Sequence, residues 1–193
     1  GYYYVIATDP LTGCSAYAGV NVSEYGVQDQ RANVWYFGNK AGIDFNPIFD
    51  ISAGPAKALN QSIMDAPEGC ATISDRNGEL IFYTDGDKVF DKTHTQIDSG
   101  IGGDPTSAQS ALIVAVPGDE TLYYIFTTEE VYGTYKYQLK YSVFDLKKNN
   151  GTGALITENV LIFSPSTERI TASGSWLIAH EFGNNTFRAY PLT

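Results

Sequence analysis

Cysteine and basic side chains are scarce in this chain, and a long apolar run is missing. Two cysteines among 193 residues exclude a disulfide-rich scaffold. Twelve Lys and Arg stand against 22 Asp and Glu, and the resulting net charge of −10 would repel the phosphates of nucleic acid. No uncharged apolar run approaches the roughly 20 residues that a membrane-spanning helix needs.

Helical periodicity is nearly absent as well. The one candidate for a helix is the short stretch 55–60, Pro-Ala-Lys-Ala-Leu-Asn. Aromatic residues, at 13%, and hydrophobic residues, at 43%, are plentiful enough to favour a folded chain over a disordered one. Most segments alternate polar and apolar residues or run apolar between turn signals, which predicts an all-β fold.

The first 33 residues are predicted to be separate from the rest. Residues 2–7 and 14–22 read as two strands joined by the turn 9–13, and an isolated hairpin cannot bury a core. We interpret 1–24 as the last hairpin of an Ig-like or PKD-like repeat and the polar stretch 25–33 as a linker. Both ends of the chain lie in strand-like sequence, so we expect it to be cut from a longer protein.

Cys14 and Cys70 leave two interpretations open. They can form a bridge only if their α-carbons come within roughly 7 Å of each other. Otherwise the partner of Cys14 lies upstream of Gly1, and Cys70 is a small buried residue. No neighbouring base activates either thiol, which disfavours a catalytic cysteine.

From Trp35 onward a compact aromatic-aliphatic triplet recurs about every 40–50 residues. The four triplets are 35–37 (WYF), 81–83 (IFY), 124–126 (YIF) and 176–178 (WLI). Three of them follow a tight-turn signal that is itself preceded by another apolar run. An amphipathic strand follows each of these three, such as 135–143, where odd-numbered residues are apolar and even-numbered residues are polar.

Four strands per repeat are typical of a propeller blade. We therefore predict that 34–193 is the N-terminal part of a β-propeller, with about four four-stranded blades and no ring closure. The competing interpretation is a β-sandwich, which also has short, regularly spaced strands.

Candidate ligand contacts follow from this fold, because the innermost strands of a propeller line its central channel. The entry residues of three units are Glu68, Gln109, Ser110, Glu168 and Arg169. Their alternative role is hydrogen bonding between blades, including an ion pair between Glu168 and Arg169. Exposed tyrosines such as Tyr132 would suit a recognition surface, although they also serve as ordinary strand residues.

His180 and Glu181 resemble the start of a His-Glu-x-x-His zinc motif, but Asn184 stands at the second histidine position. Zinc needs three or four protein ligands, so a zinc protease is disfavoured. The pair is predicted either to make hydrogen bonds at a strand end or to contact a ligand at the mouth of the propeller.

Asp85, Asp87 and Asp91 form an acidic group that could bind Ca²⁺, which prefers six to eight oxygen ligands. An EF-hand is not matched, because Gln96 stands at the twelfth position counted from Asp85. The alternative is a set of solvated turn carboxylates. The segment 74–82 faintly resembles the Asp-box hairpin of sialidase-like propellers, which is a structural turn.

Five segments together resemble a domain of very large surface proteins of gliding bacteria, the SprB-type gliding adhesins. They are 33–45 (NVWYFGNKAGIDF), 68–75 (EGCATISD), 80–86 (LIFYTDG), 109–114 (QSALIV) and 180–185 (HEFGNN). The resemblance covers about 31–193 and agrees in the order of its motifs. It implies a propeller-like domain in a multidomain protein exported by the type IX secretion system to the bacterial cell surface.

The resemblance carries no catalytic residues. It implies a non-enzymatic adhesion or scaffold module, linked to gliding motility or surface attachment. Its partners would be a surface glycan or protein and the neighbouring domains of the same polypeptide. One alternative is a glycan-active hydrolase or lyase, which requires Glu68 and Glu168 to face one cavity roughly 5–10 Å apart. Another is a structural spacer of a surface filament, which requires no pocket of ligand size.

Overall fold

The structure is a computed structural model that describes residues 2–21, 29–46, 56–132 and 136–193. Within these ranges the chain is all-β, as its alternating patterns predict. The strands are β1 (Tyr2–Thr8), β2 (Ser15–Asn21), β3 (Val34–Phe37), β4 (Ala41–Asp44), β5 (Lys57–Leu59), β6 (Ala71–Ser74), β7 (Leu80–Thr84), β8 (Lys88–Asp91), β9 (Gln96–Ser99), β10 (Ala111–Ala115), β11 (Leu122–Thr128), β12 (Leu139–Asp145), β13 (Ala154–Phe163), β14 (Ser166–Ser173), β15 (Trp176–Glu181) and β16 (Phe187–Pro191). A 3-10 turn, Asn149–Gly151, separates β12 from β13.

The strands form one hairpin and four small antiparallel sheets that follow one another along the chain. The hairpin is β1–β2, sheet 1 is β3–β5, sheet 2 is β6–β9, sheet 3 is β10–β13 and sheet 4 is β14–β16. In every sheet the spatial order of the strands equals their order in the sequence, so each strand pairs with the strand that precedes or follows it in the chain. The described residues do not close the four sheets into a ring.

The first strands of successive sheets lie next to one another. Strand β3 contacts β6, β6 contacts β10, and β10 contacts β14. Polar bonds reinforce this row: the Tyr36 amide donates to Oγ1 of Thr72 at 2.9 Å, from β3 to β6. The first strands therefore form one continuous row across the four sheets.

Three hydrophobic clusters fill the spaces between successive sheets. The cluster between sheets 1 and 2 contains Val34, Tyr36, Met64, Ala66, Tyr83 and Phe90. The cluster between sheets 2 and 3 contains Ile81, Phe82, Val89, Ile101, Tyr123, Ile125 and Phe144. The cluster between sheets 3 and 4 contains Phe126, Leu139, Phe163, Ile170, Leu177, Ala179 and Leu192.

Sheet 3 is buried on both faces, which explains why β10 and residues 122–126 of β11 are apolar at every position. Tyr123 and Ile125 pack against sheet 2, whereas Phe126 packs against sheet 4. Alternate side chains of a strand point to opposite faces, so a strand covered on both sides needs apolar residues at both parities. The apolar run at 122–126 of β11 predicts burial on both faces of the strand, and the structure confirms it.

The predicted turns and hairpins are confirmed. The segments 74–78, 117–120 and 172–175 connect the first two strands of sheets 2, 3 and 4. The N-terminal hairpin also forms, with Thr8 opposite Ser15 beside its turn. Asp9 Oδ1 accepts the Leu11 amide at 2.8 Å within that turn, and this bond lowers the pKa of Asp9.

Two sequence-based expectations need correction, and the four triplets differ in their place within a sheet. The helix expected at 55–60 is replaced over its described part by β5, because pairing with β4 outweighs the helix propensity of two alanines. The triplet 35–37 lies in a first strand, whereas the other three lie in second strands. Ser142, expected to face solvent, is fully buried because sheet 3 is covered on both faces. Residue 135, the start of that expected strand, residues 1 and 22–24 of the expected hairpin unit and residues 25–28 of the expected linker lie outside the described residues.

Neither cysteine is bonded to the other: Cys14 is exposed and Cys70 is half-buried, and both are free thiols. The Cys70 thiol donates to the Tyr36 carbonyl at 3.5 Å. Burial raises the pKa of this thiol and disfavours its reactive thiolate form.

No helix within the described ranges has both the length and the apolar character required to cross a membrane.

Gly69 allows sheets 2 and 3 to approach closely, and its replacement is a test of their packing. A Cβ at this position would lie 2.2 Å from the Gln109 carbonyl carbon. We expect Gly69→Ala to lower the free energy of unfolding by about 1–3 kcal/mol, because backbone atoms must move apart. Chemical denaturation followed by tryptophan fluorescence measures the change.

A matched control for this substitution is Gly118→Asn, in the turn between β10 and β11. No atom of the described residues lies within 4 Å of a Cβ there, and Asn tolerates the backbone φ of 82°. Equal losses of stability in the two variants would contradict the close approach at Gly69.

We expect His94 to make the stability of the first two sheets depend on pH. Its ring lies 5.3 Å from the Tyr36 ring, and its Nδ1 lies 3.1 Å from the Tyr83 hydroxyl. Burial lowers the pKa of His94 below its ordinary 6.5, and nearby Asp91 opposes part of that shift. The folded state thus favours the neutral His94 ring over the charged one. The resulting contribution to stability is fully present above pH 6.5 and is lost as the pH falls through the lowered pKa.

We therefore expect the free energy of unfolding to fall between pH 7.5 and 5, and His94→Asn to flatten that slope. Asn suits the φ of 64° at this position, so the substitution adds little backbone strain. Denaturation midpoints measured at each pH compare the two proteins. Identical slopes would show that His94 does not cause the pH dependence.

Candidate functional site

A cleft of about 750 Å³ opens beside sheet 4. Its walls come from β14, from the end of β15 and the start of β16, and from the loops 106–108 and 130–132. These loops flank sheet 3, since one precedes β10 and the other follows β11. The cleft therefore lies where sheets 3 and 4 meet.

Four of the seven predicted ligand contacts line this cleft together. They are Glu68, Glu168, Arg169 and His180. Glu68 comes from the segment that precedes β6, far from the other three in the sequence. These residues come together because the first strands of successive sheets are neighbours, which brings the segments before β6, β10 and β14 to one side of the molecule.

The carboxylate of Glu168 holds the two loops of the cleft wall. Its Oε2 accepts the amide of Ala108 at 2.6 Å, and its Oε1 accepts the amide of Val131 at 2.7 Å. Both oxygens thus bond to the backbone of the neighbouring sheet's loops. The prediction of hydrogen bonds between neighbouring units is confirmed at this residue, although no ion pair with Arg169 forms among the described residues.

Gln109 and Ser110 are not among the residues that line the cleft, and their side chains connect neighbouring sheets. The side-chain amide of Gln109 donates through Nε2 to the Ile170 carbonyl at 2.5 Å and accepts the Ile170 N–H through Oε1 at 3.0 Å. It therefore pairs with the backbone of β14 as a neighbouring strand would. The buried Ser110 hydroxyl lies 2.6 Å from the Asp85 carbonyl oxygen, which joins sheet 3 to the β7–β8 turn. These polar atoms are used for packing between sheets.

His180 and Glu181 have different environments although they are adjacent. The half-buried His180 ring lies 4.7 Å from the Phe187 ring and borders the cleft. Glu181 accepts a hydrogen bond from Asn184 at 2.8 Å and another from Arg188, which lower the pKa of its carboxyl group. Asn184, which departs from the zinc motif, thus stabilises the β15–β16 turn.

Exposed aromatic side chains rim the cleft. Tyr132 is 76% exposed, Phe187 is 71% exposed and Phe182 is 39% exposed. Sequence reasoning noted Tyr132 but missed the two phenylalanines and Glu130. Their signal was weak, because strand aromatics of this chain are buried in some places, such as Phe82, and exposed in others, such as Trp176, and only the tertiary structure shows which are exposed.

The acidic group proposed for calcium does not form a metal site in the structure. Asp85 Oδ1 accepts the amides of Asp87 and Lys88 at 3.0 and 2.7 Å, and it is almost fully buried. Asp91 Oδ1 accepts the amides of Thr93 and Thr95. Among the described residues, no three His, Cys, Asp or Glu side chains are grouped closely enough to hold a metal ion. These carboxylates close turns instead.

Substitutions at Glu168 and Glu68 test which of the two cleft glutamates contributes to the stability of the fold. We expect Glu168→Ala to lower the free energy of unfolding by about 1–2 kcal/mol, because two backbone amides lose a charged acceptor. The exposed Glu68 makes no such bonds to the residues that the structure describes, so Glu68→Ala should change stability by less than about 0.5 kcal/mol. Denaturation curves test both, and equal effects would contradict the role given to Glu168.

No family model, curated protein or solved structure matches this chain.

Proposed function

We propose that this chain is a non-enzymatic binding module of a large exported surface protein, used for adhesion or as a scaffold. Its sheets 1–4 would be successive blades of a β-propeller, left open here. The support for this arrangement is threefold: each sheet is a simple meander, the sheets follow chain order, and their first strands adjoin. The N-terminal hairpin would be the end of an Ig-like or PKD-like repeat before it.

The observation that carries the binding role is the cleft at sheet 4. Its volume of about 750 Å³ suits a small ligand or part of a larger one. Tyr132 and Phe187 present exposed rings, while Arg169, Glu68 and His180 provide charged and polar groups around them. Aromatic faces beside hydrogen-bonding groups fit a glycan, which has apolar C–H faces and many hydroxyls. A spacer without a ligand-sized pocket is less consistent with this cleft.

A glycan-active enzyme is the second candidate, because Glu68 and Glu168 line one cleft. A carboxylate pair that cleaves glycosidic bonds needs one group free to act as nucleophile or base and another to donate a proton. Both oxygens of Glu168 already accept backbone amides, and freeing them would detach the cleft's loops. This engagement favours binding over cleavage.

The surface location follows from the resemblance to SprB-type gliding adhesins and agrees with the acidic composition. A net charge of −10 keeps a protein soluble and disfavours anionic partners such as nucleic acid. The partners would be a surface glycan or protein and the neighbouring domains of the same polypeptide, and the site would be the bacterial cell surface.

A glycan array followed by calorimetry tests the proposal. We expect binding of at least one glycan, weakened about tenfold or more by Arg169→Ala or Phe187→Ala, which corresponds to about 1.4 kcal/mol. Arg76→Ala and Ile156→Ala are matched controls, since both residues are exposed outside the cleft. An array without signal, or equal affinities for all variants, would contradict the role of the cleft.

The same glycans distinguish the enzyme from the binding module. Incubation with the chain should release no reducing ends if the module only binds. Product formation that disappears in Glu68→Gln would instead support the enzyme.

A further inference from the structure

The lining of the cleft carries more negative than positive charge. The carboxylates of Glu68, Glu130 and Glu168 line it together with one guanidinium, that of Arg169. The oxygens of Glu168 accept backbone amides, which hold the group in place but carry no positive charge. Among the described residues, the cleft therefore has an excess of carboxylates over cationic groups.

Glu130 differs from Glu129, the residue before it in the same loop. Glu129 forms an ion pair with Lys140, whose Nζ lies 2.9 Å from its Oε1, and only 15% of each side chain is exposed. Neither Glu130 nor Glu68 forms an ion pair with any residue that the structure describes. The charge of Glu129 is thus compensated within the protein, whereas the charges of Glu130 and Glu68 are open to a ligand.

The aromatic rings at the rim of the cleft favour a ligand of the same charge. The face of an aromatic ring is the negative part of its quadrupole, so it attracts a cation that lies within about 6 Å of the ring centre. Tyr132 is 76% exposed and Phe187 is 71% exposed, and both line the cleft. Tyr132 lies two residues after Glu130, so one short loop supplies a ring and a carboxylate. Carboxylates and aromatic faces together are suited to an ammonium group.

We propose that the cleft selects a glycan that carries free amino groups, such as a run of glucosamine units that are not acetylated. This inference rests on the function proposed above and names the class of its ligand. The ammonium groups of the sugar pair with Glu68 and Glu130, and its apolar C–H face packs on the exposed rings. Arg169, which can only donate hydrogen bonds, binds the hydroxyl oxygens of the sugar.

Other classes of sugar fit these charges less well. An acidic sugar would bring its own carboxylate beside those of Glu68 and Glu130, and like charges repel. An acetylated amino sugar has a neutral amide in place of the ammonium group, so it gains nothing from the two carboxylates. The net charge of −10 also attracts a cationic ligand over a longer range. Because salt screens these attractions, the preference for an amino sugar should decrease as ionic strength rises.

Calorimetry with two matched sugars measures the preference. One is a linear tetramer of glucosamine with free amines, and the other is the same tetramer acetylated on every nitrogen. We expect the 193-residue chain to bind the free amine form about tenfold or more tightly at low salt. The ratio of the two affinities should decrease at high salt, because only the charged sugar is affected by screening.

Charge-removing variants locate the groups that cause the preference. Glu68→Gln and Glu130→Gln should each reduce the ratio of affinities about threefold, and the double variant should bind both tetramers alike. Glu158→Gln is the matched control, because Glu158 on β13 is exposed and does not line the cleft, yet its replacement removes the same charge from the chain. Denaturation curves establish that each variant is folded before its affinities are measured.

The outcomes separate this inference from the function on which it rests. Equal or tighter binding of the acetylated tetramer, or binding of amine-free glycans alone, would overturn the inference and leave the glycan-binding module intact. An equal loss of preference in Glu158→Gln would overturn it too, because the net charge of the chain would then be the cause. Tetralysine bound as tightly as the free amine tetramer would show that the cleft recognises charge without sugar. A glycan array without any signal would overturn the proposed function and this inference together.

Discussion

Face-to-face burial between successive sheets is the interaction on which the rest of this molecule depends. In the part of the chain that the structure describes, none of the four sheets has more than four strands, and a sheet of this size needs a second layer to bury its apolar face. The clusters around Tyr83, Phe82 and Leu177 provide that burial at the three successive interfaces. The stability of each sheet therefore depends on its neighbours. Among the described residues, sheets 1 and 4 each have only one neighbouring sheet.

Hydrogen bonds near the first strands hold the segments that form the walls of the cleft. Glu168, Gln109 and Ser110 each reach from one sheet or its loops to the next, and they fix the segments from which the cleft is built. Glu68, Arg169 and the aromatic rim are left free for contact with a ligand. A single row of polar residues thus divides into a structural part, engaged by backbone groups, and an exposed part.

The strands, tight turns and two-sided burial of sheet 3 could be predicted from the sequence, because they depend on local alternation and on Gly, Asn and Asp at the turns. The position of the triplet 35–37 within its sheet could not, since an apolar strand has the same composition whether it is first or second. The strand within 55–60 could not be predicted either, because its alanines favour a helix locally and only pairing with β4 makes residues 57–59 a strand.

The sequence by itself determined the all-β character of the chain, its hairpin connections and the repeated unit, since these follow from side-chain alternation and turn chemistry over a few residues. Only the tertiary structure decided which polar residues meet at the cleft and which are used between sheets. Glu68 and Glu168 look equivalent in the sequence, yet one is exposed and the other binds two backbone amides. That difference arises from contacts between residues 37 and 60 positions apart in the chain, which no local pattern encodes.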